Sequence, residues 1–77
     1  MVIKTIGYAS LRQFTENLNS EGRLSIPDKT TVAHVLKKLG IPQNVKVITM
    51  INGRHCTPDQ PLVEGDKLVF FPPLEGG

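Results

Sequence analysis

TTVAHVLKKLG, residues 30–40, carries the most regular pattern in the chain. Val32, Val35, Leu36 and Leu39 fall at the i, i+3, i+4, i+7 spacing of one helical face. Thr31 stands where an N-cap hydroxyl takes up an orphan backbone N–H. Lys37 and Lys38 occupy the last turn, where positive charge suits the helix dipole. Gly40 sits where a left-handed residue ends a helix, and Pro42 forbids continuation. The pattern predicts one amphipathic helix, with His34 opposite its apolar stripe and solvated.

On either side of this helix the chain reads as strands. Val2 to Tyr8 is rich in β-branched and aromatic residues and predicts a first strand. Its alternation is imperfect, because Ile3 and Ile6 fall on opposite faces, so its inward set is open. Arg12 to Gly22, with Asn17, Asn19 and Ser20, reads as loop. Arg23 to Ile26 predicts a second strand, with Leu24 and Ile26 on one face and Pro27 ending it. Beyond the helix, Val45 to Ile51 predicts a third strand. Asn52-Gly53 is a strong hairpin signal, with Arg54 to Thr57 returning. Pro58 and Asp59 begin a loop, Val63-Glu64-Gly65-Asp66 reads as a turn, and Lys67 to Phe71 predicts the last strand. Two strands, one helix and further strands indicate an α+β roll, in which the helix crosses one face of a mixed sheet.

A single helix covers a single face. In the third strand Val47, Thr49 and Ile51 point one way, while Ile48 and Met50 point the other. The uncovered face then keeps apolar surface. That surface either docks another protein or is covered by a loop residue such as Leu62.

The 77 residues suffice for one small domain. With 39% apolar and 21% charged residues the composition is that of an ordinary globular chain. A domain this short buries only about 60% of its unfolded surface, which argues against a deep catalytic cleft. The net charge of +2, carried by scattered basic residues, gives no case for nucleic acid. The lone Cys56 excludes an internal disulfide framework and a multi-cysteine zinc site. No apolar run reaches the roughly 18 residues of a membrane span, and the N-terminus lacks the features of a signal peptide. The expectation is a soluble, cytoplasmic protein that engages neither nucleic acid nor membrane.

His55 and Cys56 are adjacent, but successive strand residues point to opposite faces, which works against a Cys-His nucleophile pair. A metal site would need His34, His55 and Cys56 to converge from separate elements, and their spacing gives no support. Gly53 and Gly65 belong to turns and form no phosphate-binding pattern. Arg12, Arg54 and Lys67 are expected to flank the tail, where they would pair with an acidic partner surface.

The last strand runs straight into Pro72-Pro73-Leu74-Glu75-Gly76-Gly77. The two prolines remove backbone donors and hold the chain extended. Six extended residues reach at most roughly 20 Å, enough to enter a channel in a partner. The two glycines lack Cβ atoms, so the terminal carboxylate is slim and accessible. The chain thus divides into a body, residues 1–71, and a flexible presenting tail, residues 72–77.

These residues resemble the ubiquitin-like β-grasp sulfur carriers of the MoaD/ThiS family, most closely the MoaD type. Tyr8-Ala9-Ser10-Leu11-Arg12 is similar to the aromatic-Ala-x-Leu-Arg segment after the first strand of that type. Thr31-Val32, Leu36 and Leu39-Gly40 resemble the family helix. Leu62-x-x-Gly65-Asp66 resembles its L-x-x-G-D turn, and residues 70–77 resemble its F-F-P-P-x-x-G-G ending. The resemblance implies a ubiquitin-like β-grasp roll, with a mixed sheet of four to five strands and one helix packed across one face.

It also implies a chemistry. An E1-like enzyme of the MoeB/ThiF type would use ATP to adenylate the carboxylate of Gly77, and a sulfur donor would displace AMP to leave a thiocarboxylate. A synthase subunit of the MoaE or ThiG type would then accept the sulfur. On this resemblance Gly77 would be the reacting residue, and Phe71, Pro72, Pro73, Leu74, Glu75 and Gly76 would serve partner binding. The chain itself is expected to bind no cofactor or metal; the ATP would belong to the activating partner. The resemblance implies a carrier rather than an enzyme, or the small subunit of molybdopterin synthase. The Pro-Pro pair favours molybdopterin synthesis, while the compact hairpin resembles ThiS-like carriers of thiamine thiazole synthesis. Glu75 stands where MoaD tails often have a small residue. Two other classes remain: a ubiquitin-like modifier joined to lysines through Gly77, and an interaction module with an inert tail.

Overall fold

The computed structural model describes residues 1–16, 18 and 22–73. Five strands form one mixed sheet: β1 (Val2–Gly7), β2 (Arg23–Ser25), β3 (Ile48–Ile51), β4 (Arg54–His55) and β5 (Lys67–Phe71). Their spatial order is β2-β1-β5-β3-β4. The central pair, β1 and β5, is parallel, with Lys4 opposite Lys67, Thr5 opposite Leu68 and Ile6 opposite Val69. The flanking pairs are antiparallel. The α+β roll expected from the order of elements is the architecture observed.

The helix α1 spans Val32–Lys38. The Thr31 hydroxyl accepts the His34 N–H at 3.3 Å, and Gly40 takes φ +89° beyond the C-terminus, so both ends close as the sequence indicates. Val32 and Val35 are wholly buried. They join Ile3, Leu11, Ile26, Ile41, Ile51, Leu62, Leu68 and Phe70 in one core. This settles the inward set of β1, which is Ile3, Thr5 and Gly7. Two threonines share that apolar face because their hydroxyls donate to backbone carbonyls, Thr5 to Gly22 at 3.1 Å and Thr49 to Cys56 at 3.4 Å. Leu62 is 2% exposed within the core, on the helix side. It therefore does not cover the opposite face.

The first two strands end one residue earlier than the sequence reading, at Gly7 and Ser25, and three stretches differ from it by more. A 3₁₀ helix at Ala9–Phe14 occupies the start of the segment expected to be loop. Leu11, buried at 2% exposure, anchors it under the sheet, and no periodicity marks so short a turn. Asn17, Asn19 and Ser20 lie outside the described residues. The third strand begins at Ile48 rather than Val45. Ile48 faces Phe71, and the next residue on that side, Pro72, has no N–H with which to extend the ladder. Val45 instead donates to the Pro42 carbonyl in a turn. The return strand stops at His55 rather than Thr57, with one weaker bond from Cys56 N–H to the Thr49 carbonyl beyond it.

Gly7 has no room for a side chain. A Cβ there would meet the Leu11 carbonyl oxygen, and the Phe70 ring would lie only 2.9 Å away. Close approach of the 3₁₀ helix to the β1–β5 pair depends on that missing atom.

The Asn52-Gly53 turn takes positive φ at both positions, 52° and 85°, as a type I′ hairpin requires. Its asparagine also clamps the next element. Asn52 Nδ2 donates to Asp66 Oδ1 at 2.9 Å, Asn52 Oδ1 accepts the Lys67 N–H at 3.0 Å, and Asp66 Oδ2 accepts the Val63 N–H at 2.9 Å. The Asp66 carbonyl in turn accepts the Lys4 N–H at 2.9 Å. The G-D turn thereby locks the hairpin to the start of both central strands. Asp66 is 7% exposed, so Asp66→Ala would leave two donors without their acceptor. The expected cost is about 2–3 kcal/mol, read as a lower denaturation midpoint; a midpoint unchanged from the parent would refute this role.

Candidate functional site

Phe71 and Pro72 mark the point where the sheet ends and the tail begins. Phe70 and Phe71 diverge there because a strand alternates. Phe70 is fully buried against the helix side, and Phe71 is half-buried on the opposite face. Pro72 and Pro73 are also half-buried and share a shallow cleft with Asn44, Val45 and Lys46. Of the residues expected to serve the tail, Leu74, Glu75, Gly76 and Gly77 lie outside the described residues.

The face carrying Phe71 is the one that no helix covers. The register places Ile6 beside Val69, Val69 beside Met50, and Phe71 beside Ile48. All five of these apolar side chains are half-buried. They form one continuous patch across three strands that leads directly to the tail. That Ile48 and Met50 share a face was legible from alternation in the third strand, but not that this face is the uncovered one. Ile6, Val69 and the contiguity of the patch were not legible either, because they depend on the parallel pairing of strands more than 60 residues apart in sequence.

The structure separates the residues that tempt a catalytic reading. His55 is exposed and paired with Met50 on the uncovered face. Cys56 packs against the core, with its Sγ 3.2 Å from the Thr49 hydroxyl. His34 is exposed, with Nδ1 3.1 Å from the Thr31 hydroxyl. Among the described residues no group of three His, Cys, Asp or Glu side chains is placed to hold a metal. The Asp59 carboxyl is held below the usual carboxylate range by the Thr57 hydroxyl and its own backbone N–H. It belongs to the loop before Pro61, away from the tail. Among the described residues no helix is long and apolar enough to cross a membrane.

Two of the three basic residues expected to flank the tail do not. Lys67 begins β5, four residues before Phe71, and Arg54 faces Ile51. Both therefore sit at the end of the sheet remote from Pro72. Arg12 belongs to the 3₁₀ helix, which packs at the tail end of β1 and β5.

A buried half-sheet, one crossing helix and a proline-led C-terminus are the setting of the comparisons with known proteins. The model of the ThiS family matches residues 8–77, which include the Gly-Gly end. The chain belongs to the ThiS family. Its fold is the ubiquitin-like β-grasp, and two solved structures share it. One is SAMP1 from Haloferax volcanii, 20% identical, with a TM-score of 0.72 and full coverage of both chains. The other is H. volcanii small archaeal modifier protein 1, 19% identical, with a TM-score of 0.69, covering 95% of this chain and 98% of that one. A comparison with curated proteins finds no match. Membership places the chain among the small ubiquitin-like carriers.

Proposed function

We propose that this ThiS-family chain is a sulfur carrier that works through the carboxylate of Gly77, and that its sulfur serves molybdopterin synthesis. The observation that carries the reading is the F-F-P-P-x-x-G-G ending, residues 70–77, on a family match that runs to the last residue. A carboxylate is a poor electrophile, so activation comes first. An E1-like enzyme of the MoeB/ThiF type joins the Gly77 carboxylate to AMP from ATP and releases pyrophosphate. A sulfur nucleophile then attacks the acyl carbon, AMP leaves, and a thiocarboxylate remains. An acceptor subunit of the MoaE type takes the sulfur; in thiamine thiazole synthesis a ThiG-type protein would do so. The Pro72-Pro73 pair favours the first pathway.

A second reading uses the same acyl adenylate with an amine as nucleophile, giving an amide to a target lysine. The fold shared with a small archaeal modifier protein favours it. The nucleophile that the activated chain meets separates the two readings.

The test is the intact mass of the chain after incubation with ATP, a sulfide source and an activating enzyme of this type. A gain equal to one oxygen exchanged for sulfur is expected. Failure to gain sulfur from an enzyme that loads another carrier, together with new conjugates on a denaturing gel, would replace the carrier reading with the modifier reading.

A further inference from the structure

The helix is too short to cover its own side of the sheet. Seven residues of α1 make about 10 Å of helix, whereas five strands span roughly 19 Å from first to last. The shortfall appears as a groove of about 440 Å³ between α1 and the segment that leads into β3. Leu36 lines it from the helix, and Ile41, Val45 and Val47 line it from that segment. Ile41 belongs to the buried core, and Leu36 and Val47 pack against the core while staying half-buried. The floor of the groove is therefore an open edge of the core itself. It lies on the helix side, across the sheet from Ile6, Val69 and Met50.

The rim is basic. Lys37 lines the groove, and Lys38 and Lys46 adjoin its lining residues in the chain; all three are exposed. Among the described residues the Lys37 ammonium makes no ion pair, and no Asp or Glu lines the groove. The acid nearest in sequence to a lining residue is Asp59, after Pro58, and the Thr57 hydroxyl engages it at 2.6 Å. An apolar floor beneath an acid-free, cationic rim selects a ligand that is apolar and negatively charged together.

We propose that this groove docks a peptide segment of a partner protein in which leucine- or valine-sized side chains are flanked by carboxylates. The apolar side chains cover Leu36, Ile41 and Val47, and a carboxylate faces Lys37. Because the groove and the open patch lie on opposite sides of the sheet, the segment binds while the tail is engaged. It serves as a tether that raises the local concentration of the carrier at its partner. The inference does not depend on the chemistry of Gly77.

The test titrates the isotope-labelled full chain with short synthetic peptides, blocked at both ends, that carry leucines among glutamates. Matched peptides carry lysine in place of glutamate, or serine in place of leucine. Backbone amide shifts are followed by NMR, without ATP or activating enzyme. The leucine–glutamate peptide is expected to shift Ala33, Leu36, Lys37 and Val47, to leave Ile6 and Val69 unmoved, and to bind more weakly as salt rises. Each matched peptide is expected to bind at least about tenfold more weakly. Ala33 is exposed and lines the groove, so Ala33→Glu sets a carboxylate against the ligand and is expected to cost at least about tenfold in affinity. Its melting should stay near that of the parent, since a negative charge in the first turn of α1 suits the helix dipole. Lys37→Glu is expected to weaken binding, whereas Lys38→Glu, the same charge change outside the lining, is expected to match the parent. Shifts centred on Ile48 and Met50, equal binding of the lysine peptide, or parent-like binding by Ala33→Glu would overturn the groove. Shifts at the groove that grow with chain concentration in the absence of peptide would assign it to a second copy. Peptide binding that appears only once residues 74–77 are removed would assign it to the chain's own end. Either result would replace the partner segment. A failure here leaves the carrier reading intact, and a failure of sulfur loading leaves the groove intact.

Discussion

A chain that ends at Gly76 is expected to gain no measurable sulfur with the activating enzyme, while its denaturation midpoint stays that of the full chain. The two halves of this result have separate causes. Removing one residue withdraws the terminal carboxylate by roughly 3.5 Å, and misplacing a reacting group by about 1 Å already costs around a hundredfold. The shortened chain still ends in a carboxylate, now on Gly76, but that group falls short of the position the Gly77 carboxylate would reach. Stability is untouched because the described core runs from Ile3 to Phe70 and includes nothing after β5. Gly77→Ala is the companion variant: it keeps the carboxylate but adds a Cβ, so its partial loss reads the width of the partner channel. Sulfur loading of the truncated chain at the parent rate would refute the assignment of Gly77.

Phe70→Ala is expected to cost about 3–5 kcal/mol, the usual cost of emptying a buried phenylalanine site. A chain of this length holds only about 4–12 kcal/mol in total, so the variant lies at or near unfolding at ambient temperature. Phe70 is 0% exposed, its ring sits against Gly7, and its carbonyl accepts the Tyr8 N–H at 3.0 Å. Phe71→Ala, one residue on, is expected to cost about 1 kcal/mol, since its side chain is only half-buried. Its larger effect should fall on binding to the activating enzyme, because Phe71 is the member of the apolar patch nearest the tail. Urea titration of the two variants decides the matter. Equal losses of stability would mean that the two faces of β5 are not divided as described.

The pair Phe70 and Phe71 shows where sequence reading stops. Both belong to a strand and to the F-F-P-P ending, and alternation requires them to face opposite ways. Which one enters the core depends on where the helix lies, and no local pattern states that. The open face has the same limit. Alternation in the third strand put Ile48 and Met50 on one face without saying which face the helix covers, and Ile6 was left without a side because the alternation of β1 is irregular. Pairing with β5 resolves it, since Ile6 is opposite Val69. The early start assigned to the third strand has a comparable cause. Val45 and Val47 have strand-forming side chains, but the ladder ends where Pro72 on the neighbouring strand offers no N–H.

What the sequence determined by itself was whatever acts over a few residues. It set the helix and its caps through periodicity and Thr31, the hairpin through the positive φ at Asn52-Gly53, and the last strand through β-branched and aromatic residues. It also marked the tail through two prolines and two glycines. Tertiary structure decided whatever acts across the chain. The parallel pairing of β1 with β5 joined the apolar patch, aligned Lys4 with Lys67, and moved Lys67 and Arg54 to the end of the sheet away from the tail. The physical reason is that hydrogen-bond register and helix placement are fixed by packing between residues distant in sequence, and composition and spacing carry no record of that packing.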